Sequence, residues 1–309
     1  MFIYRFKSMN ITFKQMRLFL ALSDTLSVTK ASQKMGITQP TASMQLKEIT
    51  ESVGFPLFEV INKKVHLTEV GEKLALTLRT MLNEWQSFEQ SIEELKGLHG
   101  GSLKVAVVST AKYFVPKLLG SFYALYPHID IALEVLNRDG VIKRLHDNKD
   151  DLYIMSRPPK AIDIQEEMFM SNPLVIIAHK SHPLSEKNNI SIDTLKNERF
   201  ILRENGSGTR LFTEEHFKTK KFKPKILLEL GSNEAIKKSV EGRLGLAVIS
   251  RHAIEDYDLQ KSLSILQVKD FPIASNWYIV NLKGKRFSPI ALAFHNHLIN
   301  EAKKFALSN

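Results

Sequence analysis

Several short stretches of this chain carry residue types suited to holding an anion. Glu204-Asn205-Gly206-Ser207-Gly208-Thr209-Arg210 is a small-residue loop whose pattern runs straight into a helix. Backbone N–H groups in such a loop can approach a ligand, and the helix N-terminus favours negative charge there. Ser109-Thr110 follows an apolar strand pattern and precedes a helix, so it sits at a strand's carboxyl end, where α/β clefts bind ligands. Gly231-Ser232-Asn233 repeats that arrangement, and Arg157, after a third strand, can add a charge-assisted contact. The candidate anion-binding set is therefore Ser109, Thr110, Arg157, Ser207, Gly208, Thr209, Ser232 and Asn233. The plain alternatives are a capped loop-to-helix junction for Glu204–Arg210 and a surface arginine for Arg157.

Different chemistry is suggested by Gly36 to Ile49, G-I-T-Q-P-T-A-S-M-Q-L-K-E-I. Helical spacing puts Ala42, Leu46, Ile49 and Val53 on one apolar stripe, with Pro40, Met44, Lys47 and Glu51 nearly opposite and Gln39, Thr41 and Ser43 on the flanks. Gln suits a bidentate contact with adenine, while Pro and Met suit a thymine methyl. Ser43, Lys47, Lys63 and Lys64 suit phosphate, which positions a protein on DNA without reading its sequence. Ser27, Thr29 and Thr38, at the starts of the two helices concerned, complete the candidate DNA-binding set. A merely solvated face is the alternative, but Pro40 and Met44 are poor choices for one.

Catalytic groupings are not assignable. There is no Cys, so thiolate catalysis, disulfides and Cys-based metal sites are excluded. His295 and His297 are two apart on a predicted helix and point to different faces, which makes a poor metal pair. No Ser/His/Asp set or carboxylate pair stands out, so neither catalytic nor metal-ligating residues are assigned.

The elements that must position these residues read as follows. Phe13, Met16, Phe19 and Leu20 mark a first helix ending at Asp24. Ser27 caps a second, with Ala31 and Met35 facing inward and Gly36 closing it. Thr38 caps a third that tolerates Pro40 in its first turn, where no backbone donor is needed. Leu57–Val60 and Lys64–Leu67 read as a small hairpin, or wing, joined through Ile61-Asn62-Lys63. From Thr68 to Leu98 one long helix carries Leu74, Leu78, Met81, Trp85, Phe88, Ile92 and Leu95 at alternating steps of four and three, a seam suited to pairing with a second chain. His99-Gly100-Gly101 is a hinge. Beyond it strands and helices alternate, which predicts mostly parallel sheet covered on both faces, with enough chain for two lobes and a cleft between them.

The 309 residues favour more than one domain, and no apolar run reaches the length of a membrane span. The start lacks the apolar core of a signal peptide, with Met9 an alternative start to Met1. Together these features favour a cytoplasmic protein and count against a secreted solute binder. The net charge of +10 favours an anionic partner. Residues 1–68 carry nine Lys and Arg against four Asp and Glu, whereas residues 69–97 carry three against six. A basic head, an acidic connector and a mildly basic body have different tasks.

Residues 12–71 resemble the winged helix-turn-helix of LysR-type transcriptional regulators, through T-Q-P-T-A-S-M-Q-L at Thr38–Leu46, P-L-F-E at Pro56–Glu59 and L-T-E-V-G at Leu67–Gly71. In the body, V-V-S-T-A-K-Y-F at Val107–Phe114, D-D-L-Y-I-M-S-R-P-P at Asp150–Pro159, I-L-R-E-N-G-S-G-T-R-L at Ile201–Leu211, E-L-G-S-N-E-A-I-K at Glu229–Lys237 and L-G-L-A-V-I-S-R-H at Leu244–His252 resemble the subgroup that regulates the RuBisCO operon. The resemblance implies a winged helix-turn-helix over 1–67, a dimerising linker helix over 68–98 and, over 99–309, a two-lobed α/β effector domain like a periplasmic binding protein. Lobe 1 would take about 102–172 and 271–309, and lobe 2 about 173–270. The expected partners are promoter DNA, a second copy in a dimer or tetramer, RNA polymerase, and a small anionic effector. No cofactor or membrane is implied, and the effector would be a phosphorylated metabolite or a nicotinamide nucleotide. The wing departs from the family, with Val60-Ile61-Asn62 where an Arg two residues after Phe58 is usual.

On this reading Gln39→Ala relaxes base preference, whereas Lys63→Ala weakens binding to all sequences alike and lowers the salt slope by about 1. Titration of specific and scrambled duplexes over a range of salt concentrations separates the two.

Overall fold

The computed structural model describes residues 9–62, 64–95, 101–254 and 256–307. Lys63 and most of the expected hinge at 99–101 therefore lie outside the described residues, as does the side chain of Leu95. The chain forms two compact units, one ending at Gln86 and the other beginning at Ser87.

In the first unit each helix begins where a hydroxyl side chain can take up a free N–H. Thr12 and Gln15 form a reciprocal capping box on α1 (Phe13–Thr25), and the left-handed Leu26 ends it, a residue later than expected. Ser27 caps α2 (Val28–Lys34), accepting from the Lys30 N–H at 3.4 Å. Thr38 caps α3 (Gln39–Val53), accepting from the Thr41 N–H at 3.4 Å, with Pro40 in the first turn. Between α2 and α3 the chain turns at Gly36, whose φ of +63° disfavours other residues. Strands β1 (Phe58–Ile61) and β2 (Lys64–Leu67) pair antiparallel as the wing. Leu18, Phe19 and Leu22 of α1 pack with Ala42, Leu46 and Ile49 of α3, so the apolar stripe read from the sequence faces this core.

The long helix α4 (Glu69–Leu95) belongs in part to that core. Ala75 and Leu78 are buried in it and Leu74 packs against it, so Leu78 is already covered within its own chain. Met81, Trp85 and Phe88 are exposed instead. Arg79 pairs with Asp24 of α1 at 2.7 Å, fixing the helix to the head. At the start of α4 the Thr68 hydroxyl donates to the Pro56 carbonyl at 2.6 Å and accepts from the Gly71 N–H at 3.1 Å.

The second unit contains β3 (Gly101–Val108), α5 (Val115–Leu125), β4 (Ile129–Leu136), α6 (Arg138–His146), β5 (Leu152–Met155) and β6 (Ile164–Ser171). It continues with β7 (Leu174–His179), β8 (Arg199–Arg203), α7 (Gly208–Thr219), β9 (Lys225–Leu230), α8 (Asn233–Glu241), β10 (Leu246–Ser250), α9 (Asp256–Lys261) and β11 (Leu263–Ile265). It closes with β12 (Asn276–Leu282) and α10 (Pro289–Leu307). Two five-stranded sheets result, ordered β4-β3-β5-β12-β6 and β11-β7-β10-β8-β9, each with its own apolar core. The expectation of mostly parallel sheet needs correction. β3 is parallel to β4 and β5, but β12 is antiparallel to β5 and β6; β8 is parallel to β9 and β10, but β7 is antiparallel to β10 and β11. The antiparallel strands flank the two points where the chain passes between lobes. There the buried Asn172 accepts from the Ser250 hydroxyl at 2.6 Å and the Ser275 hydroxyl at 2.7 Å. β6 and β11 were absent from the sequence reading, because β6 is a largely exposed edge strand without apolar alternation and β11 has only three residues. No helix among the described residues is long and apolar enough to cross a membrane.

Gly71 allows α4 to lie on the backbone after α3, since a Cβ there would come 1.9 Å from the Leu57 carbonyl oxygen. Gly71→Ala is expected to destabilise the head by about 3 kcal/mol through overpacking and to weaken DNA binding with it. Gly120→Ala, in open space on α5, raises stability by up to about 1 kcal/mol. Thermal unfolding of the two variants checks the contrast.

Candidate functional site

The outer face of α3 presents Gln39, Pro40, Ser43, Met44 and Lys47 to solvent together, with Met44 57 % exposed. Burial of Ala42, Leu46 and Ile49 on the opposite side leaves this helix no freedom to turn that face inward. Thr29 and Thr38 are also exposed and Ser27 is half-buried at its cap. Lys47 is 3.7 Å from Glu51, an exposed pair of little energetic weight that leaves the ammonium accessible. Lys64 is exposed on the wing beside Glu59 and His66, and the apolar Val60 and Ile61 are exposed there too, with Asn62 in the left-handed turn position. Lys30, exposed on α2, is a cation near this surface that the sequence reading passed over.

The body holds a cleft between its lobes, enclosing about 300 Å³ including its open mouth. Val108, Ser109 and Thr110 line it from the end of β3 and the short 3-10 turn that follows. Arg138 comes from the start of α6, and Ser156 and Arg157 follow β5. Across from them are Arg203 and Glu204 after β8, then Ser207, Gly208 and Thr209 at the start of α7. Six of the eight expected anion-binding residues therefore converge. Ser232 and Asn233 do not line the cleft: Ser232 caps α8 by accepting from the Ala235 N–H at 3.4 Å, and Asn233 is buried behind Arg203 and Thr110.

Gly208 permits the close approach of α7 to the turn after β5, since a Cβ there would lie 2.9 Å from the Ser156 hydroxyl. Ser207 occupies the N-cap of α7, yet its hydroxyl takes no bond from the helix. The first N–H groups of α7 thus keep their capacity for an acceptor in the cleft. Arg210 turns away: buried, it donates to the Arg203 carbonyl at 2.9 Å and Glu229 at 3.0 Å, and pairs with Glu214, locking α7 to its sheet.

Three arginines and one carboxylate, Glu204, line the cleft, and each arginine is held differently. Arg157 pairs with Glu215, which raises its pKa, and stacks 5.0 Å from the Phe212 ring. Arg138 donates to the Arg157 carbonyl at 2.9 Å. Burial pulls its pKa down, Asp139 opposes this, and the like charge of Arg157 adds to the lowering. No carboxylate among the described residues lies within ion-pair range of Arg138, so an anion in the cleft would relieve its repulsion from Arg157. Arg203 is 3 % exposed and reaches Ser109 at 3.1 Å and Thr110 at 3.2 Å, crossing from one lobe to the other. Arg203 and Arg138 are not among the residues that local sequence pattern points to. A charged residue closing the apolar run Phe200-Ile201-Leu202, and another two positions past the end of β4, were the available signals.

A second link between lobes lies beside the cleft. Glu234 of α8 accepts from the Tyr113 hydroxyl at 2.6 Å and the Lys112 ammonium at 3.0 Å. Burial raises its pKa, but these bonds and one from Ser232 outweigh that and bring it to about 2.

A winged helix-turn-helix followed by a long helix and a two-lobed α/β body with an arginine-lined cleft defines a ligand-sensing DNA-binding regulator. Residues 13–72 match the profile of the bacterial regulatory helix-turn-helix protein, lysR family, and residues 96–303 that of the LysR substrate binding domain. The chain is 40 % identical over 289 residues to the HTH-type transcriptional activator CmpR of Synechocystis sp. (strain ATCC 27184 / PCC 6803 / Kazusa), covering 94 % of this chain and 95 % of that one. It is 41 % identical over 287 residues to the RuBisCO operon transcriptional regulator of Acidithiobacillus ferrooxidans, covering 93 % of each. The solved regulatory domain of Synechocystis PCC6803 CcmR in complex with 2-PG is similar at 45 % identity and a TM-score of 0.64, covering 66 % of this chain and 98 % of that one. The chain belongs to the LysR family of transcriptional regulators. It is a DNA-binding regulator with an effector-binding body, not an enzyme.

Because the Glu234 carboxyl is held below its ordinary value, its contribution to stability is complete above pH 4.5 and lost as pH falls towards 2. The difference in melting temperature between wild type and Glu234→Gln should therefore shrink steadily from pH 5 to pH 2. Parallel melting curves at each pH test this.

Proposed function

We propose that the cleft between the lobes is the effector site and that it takes a small phosphorylated carboxylate such as 2-phosphoglycolate, the 2-PG of the similar CcmR domain. The carrying observation is the convergence of Arg138, Arg157 and Arg203 with the start of α7 on one small space. Arginine and a helix N-terminus favour phosphate and carboxylate oxygens. The space left between these side chains is small, which favours such an acid over a nicotinamide nucleotide.

In the head, Gln39, Pro40 and Met44 read base edges of promoter DNA. Ser43, Lys47 and Lys64 hold phosphates, with Lys63 the remaining candidate. We assign residues 1–67 to DNA binding, 68–98 to linking and pairing, and 99–309 to effector sensing. The exposed Met81, Trp85 and Phe88 favour pairing of α4 with a second copy, so that two heads address two half-sites. A cytoplasmic location suits promoter binding.

Thermal shift of the full-length protein tests the effector. 2-Phosphoglycolate at 100 times its Kd stabilises the folded chain by about 2.7 kcal/mol, inorganic phosphate acts more weakly and glycolate not at all. Arg138→Ala, Ser109→Ala and Thr209→Val should each reduce the shift and leave promoter binding intact in a footprint. No shift with 2-phosphoglycolate at millimolar concentration would sink the assignment.

A further inference from the structure

A guanidinium has five N–H donors and no acceptor, and in Arg203 all five are engaged. Nε donates to Glu204 Oε2 at 2.7 Å, and one terminal nitrogen donates to Glu204 Oε1 at 2.9 Å and to the Ser109 hydroxyl at 3.1 Å. The other donates to Thr110 Oγ1 at 3.2 Å and to Asn233 Oδ1 at 3.0 Å. With no donor left over, Arg203 reaches a ligand directly only by giving up a partner. Its effect on the ligand runs through those partners.

Because a guanidinium only donates, Arg203 requires Asn233 to turn its carbonyl oxygen towards it, which directs the amide nitrogen elsewhere. That nitrogen donates to Thr110 Oγ1 at 3.3 Å. The Thr110 oxygen therefore accepts two bonds, one from Arg203 and one from Asn233, which fills both of its lone pairs. Its own proton is the one hydrogen-bonding capacity it retains. Thr110 is buried, lines the cleft, and donates to no acceptor among the described residues. A buried donor left unmade is unfavourable, so the position calls for an acceptor on the cleft side.

We propose that Arg203, through Asn233, makes Thr110 an obligate hydrogen-bond donor into the cleft, so that the site requires a ligand acceptor at this point and is met most strongly by an ionised oxygen. Arg203 and Asn233 are positioning residues in this scheme, and Thr110 is the group that touches the ligand. The inference rests on the assignment of the cleft as the effector site and adds the rule by which it discriminates.

The test is a double-mutant cycle on the full chain, with 2-phosphoglycolate as the probe in calorimetric titration. In Asn233→Asp the new carboxylate still accepts from Arg203 but has no N–H for Thr110. It accepts the Thr110 proton instead and turns it out of the cleft. Asn233→Asp should weaken binding about tenfold or more when Thr110 is present, the loss of one charge-assisted hydrogen bond, but less than about threefold in the Thr110→Val background. Thr110→Val alone should lose about tenfold, and Thr110→Ser should restore binding to within about threefold of wild type. Equal loss from Asn233→Asp in both backgrounds would mean that it acts through charge alone and would overturn the inference. Undiminished binding by Thr110→Val would overturn it as well, without depending on how Asn233→Asp folds. Absence of 2-phosphoglycolate binding by the wild-type chain would overturn the effector-site assignment and the inference together.

Discussion

A guanidinium taken out of water is strongly unfavourable unless its charge and all its donors are met. Arg203 satisfies that constraint with groups drawn from three separate segments: Glu204 beside it, Ser109 and Thr110 after β3, and Asn233 at the start of α8. These partners belong to both lobes, so the burial of one side chain holds the two walls of the cleft in register. The rest of the site is arranged around that tie. Ser109 and Thr110 are presented by it, and the backbone carbonyl of Arg203 is in turn gripped by Arg210, which sets where α7 begins. The cleft is therefore preorganised by a cation that is itself already saturated, and among the described residues Arg138 is the cleft arginine without a carboxylate in ion-pair range.

The lobes are joined by two kinds of link. The backbone crossings are fixed by the buried Asn172 with its bonds to Ser250 and Ser275. The Arg203 cluster and the Glu234 bridge to Lys112 and Tyr113 are made of side chains, which can exchange partners. A ligand shifts an arrangement only by as much as its affinity differs between the alternatives. The side-chain links are where an anion entering this cleft meets competing carboxylates, Glu204 on Arg203 and Glu215 on Arg157.

In the head the same economy of contacts operates on an apolar basis. The stripe of α3 packs on α1, the start of α4 adds Ala75 and Leu78, and Gly71 lets α4 approach the Leu57 backbone. The outward face of α3 is thus defined by what the opposite face buries. Part of the regular seam along α4 belongs to this core, which moves the surface available for pairing towards Met81, Trp85 and Phe88.

Local order was legible in the residues themselves. Helix starts at Thr38 and Ser232 follow from hydroxyl caps, the recognition face from a 3.6-residue period, and the alternation of strands and helices from apolar runs, because each depends on neighbours within a few positions. The three hydroxyl-bearing segments near the cleft were visible for the same reason, since a strand end followed by a helix start is a local pattern. Which of them touch the cleft was not. Ser232 and Asn233 look like Ser109 and Thr110 in sequence, yet Asn233 lies behind Arg203 and Ser232 serves α8. Leu78 and Trp85 share one seam in sequence, yet one is buried in the head and the other exposed. Those distinctions, like the antiparallel pairings and the bonds of Arg203 to Ser109, Thr110 and Asn233, arise between residues far apart in the chain, 30 to 94 positions in the case of Arg203. A pairing across that distance is set by how whole elements pack, which no local pattern of residue types encodes.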